Sequence, residues 1–193
     1  MPECDLLLIA GDICPADEST ARFFLHDLLV PWLRRQAVGE IVAIAGNHDR
    51  LAFRDPKRMR RLPWIYLEHE SVTVQGLLIW GSPWIAGIPM IWPFTLPEAR
   101  LAQLWARVPR QTDILLVHGP PHGYLDATRD REHLGSKDLL ERVLGLPQLK
   151  LLCCGHIHEG YGQGTLPNGS AIVNGSLCDE RYTLVNPPIV IDL

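Results

Sequence analysis

Near the end of the chain His156 and His158 stand one residue apart, with Gly155 before them and Gly160 after. Two imidazoles at that spacing can aim at one cation or at two neighbouring ones. The flanking glycines let the backbone turn tightly. Alone, such a pair is as readily a loop with two solvated histidines. The same grammar recurs upstream, where Gly11-Asp12, Gly46-Asn47-His48-Asp49 and His118-Gly119 each follow an apolar run. Asp12, Asn47, His118, His156 and His158 then supply a carboxylate, an amide oxygen and imidazoles. That mixed hard and borderline set suits a divalent metal, one or two ions of Mn, Fe or Zn. Asp12 can bridge two ions through its two oxygens, and His156 and His158 can face one each. Two ions roughly 3.5–4 Å apart activate water and clamp a phosphoryl group. His48 follows Asn47 directly, so it can reach a substrate without binding metal. Asp49 beside it can orient or charge the ring, and an imidazolium can protonate a departing alkoxide. His122 and His133 are loop histidines, candidates for substrate contact that compete with a plain surface role.

These side chains need elements that bring them together. Residues 5–10, 40–45, 113–117 and 150–154 are short apolar runs without alternation, the pattern of strands covered on both faces. In a mostly parallel sheet the carboxyl ends of strands collect along one edge, where ligands bind. Asp17 caps a predicted helix over 18–36, which Pro31 should kink or divide. Thr95 and Glu98 match a capping box, predicting a helix to Val108. Ser136 opens another that ends near Gly145. Gly76 splits 71–75 from 77–80 as in a hairpin. The segment 81–97, with Pro83, Trp84, Pro89, Trp92 and Pro93, is predicted to be a long loop whose tryptophans either pack it down or stack a base. The tail reads as short strands over 170–174, 181–185 and 189–191, broken by Gly175 and Pro187-Pro188. Together this is layered α/β with a substantial β component.

The totals narrow the field. At 193 residues the chain is expected to be one domain, 1–193. A net charge of −4 argues against a general nucleic-acid or membrane binder. The basic run 54–61 reads as a solvated face, with modest steering of an anionic substrate as the functional alternative. The five cysteines contain no C-x-x-C and mostly border apolar runs. They are read as core hydrophobes of a reducing, cytoplasmic compartment. No run reaches the ~20 apolar residues of a membrane helix, and no signal peptide is visible.

Gly11-Asp12, Gly46-Asn47-His48-Asp49, His118 and Gly155-His156-Ile157-His158 resemble, in order, four of the five motifs of the calcineurin-like metallophosphoesterases. Gly81-Ser82-Pro83-Trp84 and His118-Gly119-Pro120-Pro121 look like the subgroup of metallophosphoesterase-domain-containing proteins. The resemblance implies a β-sandwich flanked by helices. It implies hydrolysis of a small phosphodiester or phosphomonoester, a nucleotide among them, by a metal-activated hydroxide. By family role Asp12 bridges, Asn47, His118 and His156 hold the second metal, His158 holds the first, and His48 is the acid near the leaving group, with Asp49 beside it. Asn174-Gly175-Ser176 resembles the closing turn, read here as support for the site.

The family's first motif, Asp-x-His, is not found, and the chain begins at what should be the second strand. Two expectations compete. One is a working phosphoesterase. The other is a metal- or nucleotide-binding protein with weak or no turnover, because the first metal keeps only Asp12 and His158. A zinc hydrolase of another fold fits less well, since Glu159-Gly160 does not continue the His-x-His-x-Asp-His pattern of metallo-β-lactamases. The run 5–10 should have strand neighbours on both edges, so the expectation is that Met1 is not the natural start and that a strand of about 5–6 residues precedes it.

Overall fold

The computed structural model describes residues 1–87 and 91–193. Three parallel strands, β1 (Cys4–Ala10), β2 (Val38–Ile44) and β3 (Ile65–Tyr66), form a small sheet in that order. A larger sheet contains β4 (Glu70–Val74), β5 (Leu77–Ser82), β8 (Ile114–Val117), β9 (Leu151–Cys154), β10 (Gly162–Thr165) and β11 (Ala171–Asn174). Its order is β10-β11-β9-β8-β5-β4, parallel through the centre and antiparallel at both ends. A short parallel pair, β6 (Ile85–Ala86) and β7 (Thr95–Leu96), shapes the loop beyond β5. Pro89 lies outside the described residues.

Period-two alternation inside the apolar runs explains the layering. Val42 and Ile44 of β2 meet Ile114, Leu116, Leu151 and Cys153 between the two sheets. The alternate residues Leu115, Val117, Leu152 and Cys154 face outward, onto Leu101 and Trp105 of α5 (Glu98–Trp105) and Leu139 and Val143 of α6 (Lys137–Leu144). On the opposite side Ala43 and Ala45 pack under α1 (Glu18–Phe23) through Ala21, in one cluster with Leu51 and Ala52 of α3 (Arg50–Arg54) and Met59 of α4 (Pro56–Met59). The result is helix, sheet, sheet, helix, a mixed α/β fold in which the central strands are covered on both faces.

The first helix is divided ahead of Pro31: it widens into a π-type turn over Phe24–Leu29, where the Val30 amide donates to the Leu25 carbonyl, and resumes as α2 (Val30–Leu33) with Pro31 in its first turn. Several elements depart from expectation. Thr95 and Glu98 do not form a capping box. Pro97 is the cap residue of α5, and the Glu98 carboxylate instead accepts from Ser136 Oγ at 2.7 Å, at the start of α6. Ser136 caps α6 as expected, accepting the Leu139 amide at 3.1 Å. The hairpin turns at Gln75-Gly76, both at positive φ, the conformation a two-residue turn requires. Past Asn174 the tail forms no strand. It is tied down by single bonds, such as Asn186 Nδ2 to the Ser176 carbonyl at 2.9 Å, and by Ile189 and Ile191 resting on the inter-sheet core. β1 is less buried than its composition suggests and pairs only with β2 among the described residues. No helix among them is long and apolar enough to cross a membrane.

Candidate metal centre

Four loops meet above the carboxyl ends of β1, β2, β8 and β9. The first turns sharply: Gly11 has φ +92° and Asp12 φ +50°. A left-handed aspartate stores strain, and here it swings the carboxylate across to the β2 loop. Asp12 Oδ1 accepts the His48 amide at 2.8 Å, and Oδ2 lies 3.3 Å from His118 Nε2. Only glycine fits at position 46, where a Cβ would sit 2.2 Å from Asp12 Oδ1 and 2.5 Å from His118 Cε1.

His118, at the end of β8, is 1% exposed. Its Nδ1 lies 2.7 Å from the Ala10 carbonyl. A carbonyl can only accept, so Nδ1 carries a proton and Nε2 is turned inward. Nε2 lies 3.0 Å from Asn47 Oδ1 as well as close to Asp12 Oδ2. Both oxygens thus face Nε2, a place that either a proton on the ring or a bound cation can fill. Burial disfavours charge on His118, but the Asp12 carboxylate outweighs it and draws the imidazole above its ordinary range. Burial likewise opposes charge on Asp12, yet His118 and the His48 amide hold its carboxyl well below the usual carboxylate range.

The β9 loop supplies the rest. His156 adopts φ +69° and stands 5.0 Å, centroid to centroid, from His118. Burial, with His118 adding to it, pushes its pKa down to about 3, so it presents the neutral lone pair that a metal needs. Ligand atoms of Asp12, His118 and His156 all lie within 4.8 Å of one another, which makes these the one such group of histidine, cysteine and carboxylate side chains among the described residues. His158 stands outside that group. Its Nδ1 donates to the Asp179 carbonyl at 2.7 Å, leaving Nε2 free. Asn174 braces this loop: Nδ2 donates to the Ile157 carbonyl at 2.8 Å and to the Leu125 carbonyl at 3.1 Å, and Oδ1 accepts from Ser176.

Asp49 was expected to orient His48, and the structure gives it other partners. Fully buried, it accepts the backbone amides of Ile13, Cys14 and Gly46 at 3.1, 2.8 and 2.8 Å. It therefore ties the β1 loop to the β2 loop. Burial, with the Asp12 charge behind it, pushes its carboxyl up to about 6 against the pull of those amides. His48 lies instead among aromatic rings, 4.8 Å from Trp92 and 5.7 Å from Tyr182. Tyr182 also stands edge-on to His158 at 5.4 Å. Sequence reading placed Tyr182 in a strand and missed it. The available signal was Asp179, whose carboxylate builds the turn by accepting the Arg181 and Thr183 amides, both at 2.9 Å.

His122 and His133 form a separate cluster, 5.5 Å apart, around the buried Asp126. His133 Nδ1 bonds it at 2.7 Å and His122 Nδ1 lies 3.9 Å away. Asp126 also accepts the Gly123 and Gly135 amides, so the cluster staples the loop that follows β8.

The sequence profile of the calcineurin-like phosphoesterases matches residues 2–160. The chain belongs to that family. It is 44% identical over 132 residues to metallophosphoesterase domain-containing protein 1 of Homo sapiens, covering 67% of this chain and 40% of that one. A UPF0046 protein of Caenorhabditis elegans is 34% identical, across 67% of this chain and 32% of its own length. Another from the same organism is 29% identical over all of this chain and 74% of its own. The chain thus spans less than half the length of the human relative. A solved crystal structure superposes with a TM-score of 0.63 at 17% identity, covering 89% of this chain and 79% of that one, which shows a shared fold. The family supports metal-dependent hydrolysis of phosphoesters, with divalent metals as cofactors.

Proposed function

We propose that this chain hydrolyses a small phosphodiester or phosphomonoester in a metal-dependent reaction. The observation that carries the reading is the approach of His118 Nε2 to Asn47 Oδ1 at 3.0 Å and to Asp12 Oδ2 at 3.3 Å, with a ligand nitrogen of His156 in the same compact group. The donors fit such an ion: Asp12, Asn47, His118 and His156 would hold it, and His158 would offer a further imidazole nitrogen, its Nε2. A bound divalent cation supplies Lewis acidity toward a phosphoryl oxygen and a lowered pKa for water. The chain itself does the rest. Asp12 fixes the His48 backbone, Asp49 fixes the two loops, and His48, beside the donor group, gives a proton to the departing ester oxygen. Five free cysteines, two of them adjacent and buried in β9, support a reducing, cytoplasmic setting.

Metal analysis and turnover of a chromogenic phosphodiester with added Mn²⁺ test the reading. His118→Ala should remove most bound metal and nearly all turnover. Wild-type metal content in that variant would count decisively against the site. The position of His158 outside the compact group favours a second reading, metal binding with weak turnover. Full metal occupancy without hydrolysis of any phosphoester in a broad panel would select it.

A further inference from the structure

The loop that follows β8 is closed on itself by one carboxylate. Asp126 is fully buried and gathers groups from both ends of the loop. The Gly123 and Gly135 amides each lie 2.9 Å from Oδ2, and His133 Nδ1 lies 2.7 Å from Oδ1. Burial opposes charge on Asp126, but His133 and the two amides hold its carboxyl below the usual carboxylate range. A carboxylate only accepts, so His133 donates through a protonated Nδ1. The residue before Asp126 is the one out of place. Leu125 stands at φ +55°, a conformation uncommon outside glycine that persists only where the surroundings hold it. Its carbonyl meets the loop that follows β9. Asn174 Nδ2 donates to it at 3.1 Å and to the Ile157 carbonyl at 2.8 Å. Ile157 is the residue between His156 and His158. The approach is close, since a Cβ on Gly160 would sit 2.0 Å from the Leu125 oxygen.

We propose that Asp126 and His133 are positioning residues for the metal centre. They hold Leu125 in its left-handed turn, the Leu125 carbonyl holds Asn174, and Asn174 sets where the backbone between His156 and His158 stands. The inference rests on the metal site of the reading above. Neither residue belongs to the compact group of donors, so each acts only through the groups it fixes. A staple that served its own loop alone would gain nothing from strain at Leu125. Losing a partner that orients a ligand weakens metal binding by about 10–100-fold.

Calorimetric titration of the full chain with Mn²⁺ tests this, together with the visible absorption of bound Co²⁺, which follows ligand geometry. Asp126→Ala should weaken Mn²⁺ binding by about 10–100-fold, and His133→Ala should weaken it by a smaller factor. His133→Asn keeps a side-chain N–H for Asp126 and should restore the wild-type affinity. Both alanine variants should shift the Co²⁺ spectrum at saturating ion. His133 is exposed, so its variants carry the test even where Asp126→Ala does not fold. Urea unfolding supplies the contrast. Lower stability with wild-type Mn²⁺ affinity and an unchanged Co²⁺ spectrum would mark a staple for the loop alone, overturning the inference and leaving the metal site standing. A loss in His133→Ala that His133→Asn does not repair would overturn it too. A wild-type chain that binds neither ion overturns the metal site, and the inference with it.

Discussion

His48 is held by its backbone rather than by its ring. Its amide is fixed by Asp12, while its ring stands near Trp92 and Tyr182 and its nitrogens have no hydrogen bond among the described residues. Replacing it with alanine should leave metal content near normal and lower kcat by about 10²–10⁴-fold, the range for a lost general acid. The loss should shrink for esters with good leaving groups. An equal loss across leaving groups of widely different pKa would show that the proton comes from elsewhere. A second histidine has a different fate. His69, between β3 and β4, has both ring nitrogens buried without a hydrogen-bond partner among the described residues, and stands edge-on to Trp80 at 4.9 Å. Burial, helped by Arg107, pushes its pKa down to about 4. The unfolded chain binds the proton near the ordinary value of about 6.5, so His69 costs no stability above that pH. Stability is lost as pH falls from there through about 4. His69→Asn, which tolerates the positive φ of this position, should make that decline shallower in urea unfolding series. An identical pH profile in the variant would remove His69 from the account. The candidate ligands were legible at this scale because each ends an apolar run with a residue rich in lone pairs. The Asp49 role was not, because its partners are backbone amides that no residue type announces.

Among elements, the loops matter more than the strands. Their close approach depends on Gly46, where a side chain would run into Asp12 and His118. Gly46→Ala should weaken Mn²⁺ binding by about 10–100-fold, as when ligand positioning is lost, and destabilise the fold by about 1–3 kcal/mol through overpacking. A metal titration alongside urea unfolding checks both, and an unchanged metal affinity would deny that the approach is tight. The buried strands of the fold were readable from their continuous apolar runs, because β2, β8 and β9 are covered on both faces. The tail was misread for the same reason. Residues 181–185 and 189–191 are apolar enough for strands, but the Asp179 turn and Pro187-Pro188 limit the pairing to one isolated bridge, Cys178 with Leu184. Glu98 misled differently, since its carboxylate serves the helix that begins at Lys137 rather than its own.

Across the whole molecule, the donor group spans the two sheets. Asp12 and Asn47 come from loops of the small sheet, His118 and His156 from loops of the large one. A cation bound there acts as a clasp on the sandwich. Mn²⁺ at about a hundred times its Kd should add about 2.7 kcal/mol to the unfolding free energy, measured by urea titration with and without the ion. No shift in the wild type, or the same shift in His118→Ala, would place the ion elsewhere. The layered architecture was open to inference from strand composition, but this bridging role was not, because it depends on which sheet each loop leaves.

The bonds of that clasp also carry a kinetic consequence. His118 reaches Ala10 across 108 residues, Asn47 reaches His118 across 71, and Asp12 reaches His48 across 36. Closing such long loops is entropically late, so the site cannot assemble until the sheets that carry it have met. The ion then finds nothing to hold in the folding transition state and everything to hold in the native one. Its stabilisation should therefore fall almost entirely on the unfolding rate, with refolding speed unchanged. A metal bound there would work as a latch that keeps a finished molecule shut, rather than as a seed around which it forms.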